Sequence, residues 1–387
     1  MTKTKIDILL PFKESIAPEN QGAIASIIRS FLKARATDQE FMVFGRPLSP
    51  MPTDIPYTPL TPKWRWLNGG LNLSFAKAYI AHLKTHPSPD AIEIHSRCQV
   101  AHKIATACPH LPVFLYLHND PTQMKGAKTP AERQELYAKC AGIFCVSDYI
   151  RNRFCEGITA DTDHADKIVT IHNGVDRWLD APVKKTKTIV IAGRIVPEKG
   201  ILQACRVLVP LLKHHPEWHL HIIGGQHFAH TPPSAYENKV MQIIRQAGGQ
   251  ATMHGFMEKT ALQRYQQEAE IIIVPSLWPE PAGLANLEAL AVGAALITTD
   301  TGGAVEYSRG RAAVIPVDTH PDYEDYDYPE FSMALADSCT ELMRDSDKRR
   351  VLQNTAWADY PFTAESMAQR AVNIRKNLIN SFTSKVV

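Results

Sequence analysis

The sequence has no excess of one charge, no long apolar run and no paired cysteines, and each absence narrows what the chain does. Lys plus Arg number 42 against 40 for Asp plus Glu, a net charge of +2. That balance leaves no general electrostatic footprint for a nucleic-acid partner, and none is expected. The cysteines, Cys98, Cys108, Cys140, Cys145, Cys155, Cys205 and Cys339, are odd in number and never spaced Cys-x-x-Cys. A disulfide framework and a zinc ribbon are both disfavoured, and reduced, buried thiols are expected. No stretch approaches about 18 apolar residues without a charge; even Pro281 to Thr299 carries Glu288 in its middle. The opening apolar run is broken by Asp7 and is too short for a signal peptide. A cytoplasmic protein is expected, compatible with contact at the inner face of the plasma membrane. Gly224-Gly225, after the strand-like HLHII, lacks the full Gly-x-Gly-x-x-Gly spacing, which argues against a dinucleotide dehydrogenase. No repeat at solenoid spacing is found.

What is present reads as an α/β protein. The 387 residues are 44% hydrophobic and 21% charged, the composition of a globular chain. At about 100 to 200 residues per domain, two domains are expected. In the first half, short apolar runs at Ile6 to Pro11, Ala91 to His95, Val113 to His118, Gly142 to Val146 and Ile168 to Ile171 alternate with helix-like patterns. The second half repeats the layout at Thr188 to Ala192, Leu220 to Ile223, Ile271 to Val274, Ala294 to Thr298 and Ala312 to Ile315. Such alternation predicts two doubly wound, Rossmann-like parallel sheets covered by helices. The turn-rich, partly basic stretch Asn173 to Lys187 reads as a linker, placing the boundary near Pro182, with domains at 1–182 and 183–361. Residues 362–387 read as an amphipathic helix, with Ala368, Ala371, Ile374 and Leu378 on one side, that packs back on the first domain.

Two segments carry chemistry. In Pro275 to Tyr307, the run IIIVPS ends at a Pro-rich turn, and a helix is expected to begin near Gly283. That turn delivers side chains to the carboxyl edge of the sheet, where open α/β folds bind ligands. Glu280 and Glu288 are expected to face one crevice, and carboxylates accept hydrogen bonds from vicinal hydroxyls such as those of sugars and riboses. Backbone N–H groups at Gly283, Leu284 and Ala285 would add an anion site at the helix start. In Ile189 to Leu208, Arg194 and Lys199 lie at the carboxyl end of another expected strand, and two fixed cations there suit a diphosphate. A phosphate between two polyols describes a nucleotide sugar. Read as isolated residues, the two glutamates would be a helix-start acid and a solvated helix residue, and the two cations surface charges.

On Gly193-Arg194, Glu198-Lys199-Gly200, the segment EPAGLANLE from Glu280 to Glu288, Thr301-Gly302-Gly303 with Glu306, and His172-Asn173-Gly174-Val175-Asp176, the chain resembles the retaining glycosyltransferases of family 4, with the two-domain GT-B fold. The resemblance implies that Arg194 and Lys199 hold the donor diphosphate, Glu288 the ribose, and Glu280 the transferred sugar of a UDP- or GDP-sugar. It further implies transfer with retention to a glycan or lipid-linked acceptor, a phosphate oxygen taking the proton. No metal ion or other cofactor is expected, because the cations and the helix start already face the departing charge. Ala282 stands where the family usually has an aromatic residue. A sugar-nucleotide epimerase of the same fold and a non-catalytic nucleotide-sugar-binding subunit are the alternatives; the epimerases lack the paired glutamates.

The first domain matches the family less closely. Gln21-Gly22 stands where two glycines are usual, and Gly22 is taken as a donor-phosphate contact. His95 and His118 each end a strand-like run, and His118 resembles the cleft histidine of the family; a hydrogen-bonded structural histidine is the plainer reading of each. His214, His215, His219 and His221 lack the spacing of a zinc hydrolase, and no metal is assigned to them. The acidic stretch Asp318 to Glu330 is expected to be an exposed loop. Trp64 and Trp66, beside Lys63 and Arg65, suit either a membrane interface or a buried core. His118-Asn-Asp-Pro121 followed by Lys125 and Lys128 is similar to the branch that builds lipopolysaccharide and other surface glycans.

Overall fold

The computed structural model describes residues 3–17, 22–34, 38–63, 69–159, 167–227, 232–318 and 320–386. The chain divides into two compact units, Met1–Gly174 with Thr363–Val387, and Val175–Phe362. The division falls after Gly174 rather than near Pro182.

The first unit is built on seven parallel strands: β1 Thr4–Leu9, β2 Gln39–Gly45, β3 Tyr57–Pro59, β4 Ala91–His95, β5 Val113–Leu117, β6 Gly142–Cys145 and β7 Ile168–Thr170. Their order is β3-β2-β1-β4-β5-β6-β7, so the chain leaves β1 toward one edge and returns at β4 toward the other. The crevice for ligands in such a sheet opens above the carboxyl ends of β1 and β4. Strands β4 and β5 are buried along their whole length, as expected where helices cover both faces. Helices α1 Ala23–Lys33, α2 Leu71–Leu83, α3 Cys98–Ala107, α4 Pro130–Lys139 and α5 Asp148–Cys155 supply that cover. Local chemistry sets their starts: Thr129 and Glu132 form a capping box on α4 with Pro130 in the first turn, and Ser147 caps α5 by accepting from the Ile150 N–H at 3.1 Å.

The second unit has six parallel strands: β8 Thr186–Ala192, β9 His219–Ile223, β10 Ala251–Gly255, β11 Ala269–Val274, β12 Ala295–Thr299 and β13 Ala312–Ile315. The order β10-β9-β8-β11-β12-β13 again reverses direction beside its first strand. Alternation along β8 sends Ile189 and Ile191 into one apolar cluster with Leu208, Trp218 and Phe331, and Val190 into another with Ile272, Leu290 and Leu296. The helices are α6 Ile201–Leu212, α7 Ala235–Ile244, α8 Lys259–Glu268, α9 Leu284–Ala291, α10 Ala304–Ser308, α11 Pro329–Arg344 and α12 Ser346–Ala358. The acidic stretch before α11 is not simply exposed. Tyr328 is fully buried, and Gln203 of α6 donates to the carbonyls of Tyr323 and Glu324. No helix among the described residues is long and apolar enough to cross a membrane.

The last helix, α13 Ala364–Val386, belongs to the first unit. Its buried face includes Met367, Ala368, Ala371 and Val372, and also a charge, Arg375. Arg375 donates from Nε at 2.7 Å and pairs through Nη2 at 2.6 Å with Oε2 of Glu93 in the middle of β4, while its guanidinium lies 4.6 Å from the Phe31 ring of α1. Burial alone would raise the Glu93 carboxyl, but the Arg375 guanidinium and His95 outweigh it and hold the group at about 2. A folded carboxyl depressed in this way contributes stability that is present above its ordinary value and is lost as pH falls through its folded one. Glu93→Gln is therefore expected to cost about 3 to 5 kcal/mol at neutral pH, and its deficit relative to the parent should shrink between about 4.5 and about 2. Urea midpoints measured across that range check this; a deficit that stays constant contradicts it.

Candidate functional site

The second unit gathers its functional side chains where β8 and β11 end side by side. Beyond β8 the chain runs through Gly193 and Arg194 into a 3-10 turn at Pro197–Lys199, and Gly200 then opens α6 in the left-handed region at φ 66°. Any side chain at Gly200 would run into the Pro275 carbonyl beyond β11. The Leu277 N–H donates to the Glu198 carbonyl at 3.0 Å, so the two turns are stitched backbone to backbone.

That contact brings Lys199 to Glu280. The Lys199 Nζ pairs with Oε1 of Glu280, and the same oxygen accepts from Ser276 Oγ at 2.6 Å. Lys199 Nζ also lies 5.6 Å from the centre of the Trp278 ring, whose buried Nε1 has no hydrogen-bond partner. Arg194 is held more loosely, 3.4 Å from Glu198, with both side chains about a third exposed to water. Such a solvated pair contributes little, so the guanidinium is free to take another anion. Glu280 itself is buried.

The backbone of Glu280 is fixed from a third loop. The Gly303 N–H donates to its carbonyl at 2.6 Å, and Gly302, at φ 65°, lies so close that a Cβ there would meet the Glu280 main chain. Thr299 Oγ1 donates to the Ser276 carbonyl at 2.7 Å, and the buried Asn286 donates to Thr298 and Ser308. Sequence reasoning missed Ser276, Trp278 and Gln266; the hydroxyl of Ser276, ending the run IIIVPS at the sheet edge, was the available signal.

Gly283 is the N-cap of α9, and no side chain caps that end. The N–H groups of Leu284 and Ala285 have no acceptor within the helix and sit at its positive end. One turn further, Glu288 accepts from Gln266 Nε2 of α8 at 3.2 Å. Burial raises its carboxyl above the ordinary value, with the Gln266 bond and Lys259 opposing. Glu280 and Glu288 therefore have separate partner sets rather than one shared between them.

In the first unit, Gly22 is the N-cap of α1, and the space beside its Cα is taken by the Glu14 carboxylate. The Glu14 carboxylate, bonded to the Ala25 backbone, lies at the helix start where the donor-phosphate contact is expected. His118, just beyond β5, holds its Nε2 2.8 Å from Nδ1 of His95. Burial, and then the neighbouring His95, keep its ring well below the usual histidine value, with Glu93 opposing. Trp64, Arg65, Trp66 and Gln21 lie outside the described residues. His219 bonds Thr252 at 2.9 Å and His221 bonds His254 at 3.0 Å. Among the described residues no group of three or more His, Cys, Asp or Glu could hold a metal ion. Asp-x-Asp spacings occur at Asp325, where Lys239 pairs with the first acid, and at Asp345, where the first acid caps α12; a third, at Asp161, lies outside the described residues.

Family models match both units: Glycosyltransferase Family 4 over residues 32–178 and Glycosyl transferases group 1 over residues 176–327. The chain belongs to these glycosyltransferases. It is 25% identical over 249 residues to the putative glycosyltransferase YtcC of Bacillus subtilis, a match covering 60% of each protein. The lipopolysaccharide 1,2-N-acetylglucosaminetransferase of Salmonella typhimurium is 23% identical over 306 residues, which cover 76% of this chain and 74% of that protein. The crystal structure of Anabaena Alr3699/HepE in complex with UDP and glucose aligns over 96% of this chain and 99% of its own, with a TM-score of 0.71 at 17% identity. That likeness identifies the fold as GT-B.

The Gly302 contact yields a prediction independent of ligand. Gly302→Ala would place a side chain at a left-handed backbone position and against the Glu280 main chain, and should destabilise the protein by more than about 1 kcal/mol. Denaturant unfolding measures this; parental stability would contradict the close contact.

Proposed function

We propose that the protein transfers a sugar from a nucleoside-diphosphate sugar, with UDP or GDP as the carrier, to a hydroxyl of a glycan or lipid-linked acceptor. The observation that carries this reading is the placement of Lys199, Arg194 and the uncapped start of α9 around the carboxyl ends of β8 and β11, beside the anchored Glu280. Lys199 is held by Glu280 and Arg194 is only loosely paired with Glu198, so a diphosphate entering the site meets one anchored cation and one available to it. As the bond from the anomeric carbon to the diphosphate oxygen breaks, those groups stabilise the charge left on the phosphate. Glu280 accepts from hydroxyls of the transferred sugar, and Glu288 accepts from the ribose.

The acceptor oxygen bonds to the anomeric carbon, and its proton passes to a phosphate oxygen of the leaving group. Attack and departure on the same face retain the anomeric configuration. A role in lipopolysaccharide or other surface-glycan synthesis, on the cytoplasmic side of the membrane, draws support from the Salmonella relative.

Lys199→Ala and Arg194→Ala are each expected to lower turnover about a hundredfold or more, since each removes a contact to the leaving charge worth about 2.7 to 4 kcal/mol. Both variants should remain folded by circular dichroism, Lys199→Ala with lowered stability because Glu280 stays buried with Ser276 as its remaining side-chain partner. Turnover within about threefold of the parent in both variants removes them from the site.

The stereochemical expectation is separate. Proton NMR of the product linkage should show the donor's anomeric configuration, and turnover should persist in EDTA. An inverted centre contradicts same-face attack. Loss of turnover in EDTA with rescue by Mn²⁺ contradicts charge stabilisation by the protein alone.

A further inference from the structure

A line of buried polar side chains in the first unit ends at His118, and the reading above leaves its other members without a task. Arg375 binds Oε2 of Glu93, Oε1 of Glu93 is 2.8 Å from His95 Nε2, and His95 Nδ1 is 2.8 Å from His118 Nε2. Arg375, Glu93 and His95 are all buried. The cavity they adjoin measures about 10 Å³, room for about one water at most. His95 and His118 both stack on Tyr116, at 5.0 and 4.7 Å between ring centres, and the main-chain N–H of His118 donates to Ser96 Oγ at 3.0 Å. Neither ring is free to turn.

The hydrogens on this line follow from the donors and acceptors. Glu93 is ionised and only accepts, so His95 Nε2 carries a hydrogen. Arg375 already balances the Glu93 charge, and a second hydrogen on His95 would leave a net positive charge in a dry setting. His95 Nδ1 therefore presents a lone pair, and the contact to His118 requires that His118 Nε2 donate. A neutral His118 then has its lone pair on Nδ1, which bonds no described residue.

We propose that Arg375, Glu93 and His95 are positioning residues that lock His118 in its Nε2–H tautomer, making Nδ1 a dedicated acceptor for a sugar hydroxyl. The identity of the hydroxyl rests on the sugar-transfer reading; the tautomer rests on this geometry alone. An acceptor at that nitrogen takes an O–H group and turns away a carbonyl, an ether or a bare phosphate oxygen.

Nitrogen-15 correlation spectra of the imidazoles in the full-length parent, with His118 assigned by its loss in His118→Gln, read the tautomer at neutral pH. Hydrogen on Nε2 and none on Nδ1 is expected; hydrogen on Nδ1 overturns the proposal. Arg375→Met leaves Glu93 with His95 as its remaining partner, so His95 gains a proton and His118 should switch to Nδ1–H. The turnover number should then fall on the order of tenfold with KM within about twofold, and Arg375→Lys should restore it. An Arg375→Met protein with the parental tautomer and turnover also overturns the proposal. The parental spectrum needs no change in the buried line, so it decides even where Arg375→Met fails to fold. Failure of the sugar-transfer reading shows separately, as absence of thermal stabilisation by UDP- and GDP-sugars whatever the tautomer of His118.

Discussion

The ion pair between Lys199 and Glu280 is the constraint around which the second unit is arranged. Glu280 is buried, and taking a carboxylate and an ammonium out of water costs several kcal/mol unless further hydrogen bonds compensate. Ser276 supplies one such bond to the same oxygen. The rest of the local structure follows from bringing the partners together. Gly200 lets the turn beyond β8 lie against the turn beyond β11, the Glu198 carbonyl accepts from Leu277, and Gly302 and Gly303 close on the Glu280 main chain from beyond β12. A buried pair is weak evidence for stability. It is stronger evidence for a fixed geometry, and a fixed ammonium at a sheet's carboxyl edge suits a reaction in which negative charge must depart.

The first unit solves a similar problem differently. Glu93 sits in the middle of a fully buried strand, and its charge is met by Arg375 from the last helix. The chain's final segment thereby completes the core of the unit in which the chain began. On its other side the same carboxylate meets His95, so one buried charge both anchors α13 and orders the polar line leading to His118.

Much of this was legible in the sequence, and the parts that were not share a physical cause. The apolar runs gave β4 and β13 with their bounds and eight other strands to within a few residues, but β2 was missed although Phe41 to Phe44 is apolar. Strand β10, in which no residue is fully buried, and β3, three residues ending in proline, offered no apolar run to read. Arg194, Lys199, Glu280 and Glu288 were found because their local spacing carries chemistry. Their partners were not, since Lys199 and Glu280 stand 81 residues apart and Glu93 and Arg375 stand 282 apart. The run AIEIH read as a strand, but nothing local said that its glutamate would be buried and paired. Nor did the sequence show that Glu14 would occupy the helix start at Gly22, a contact made by the folding back of one loop.

The central claim is that the group at the ends of β8 and β11 is a diphosphate site. A crystal structure of the protein with a bound nucleoside diphosphate tests it most directly. The account predicts phosphate oxygens within hydrogen-bond distance of Lys199 Nζ and the Arg194 guanidinium, near the Leu284 and Ala285 N–H groups, with ribose hydroxyls on Glu288. A diphosphate bound away from both cations, or a ribose with no contact to Glu288, would contradict it.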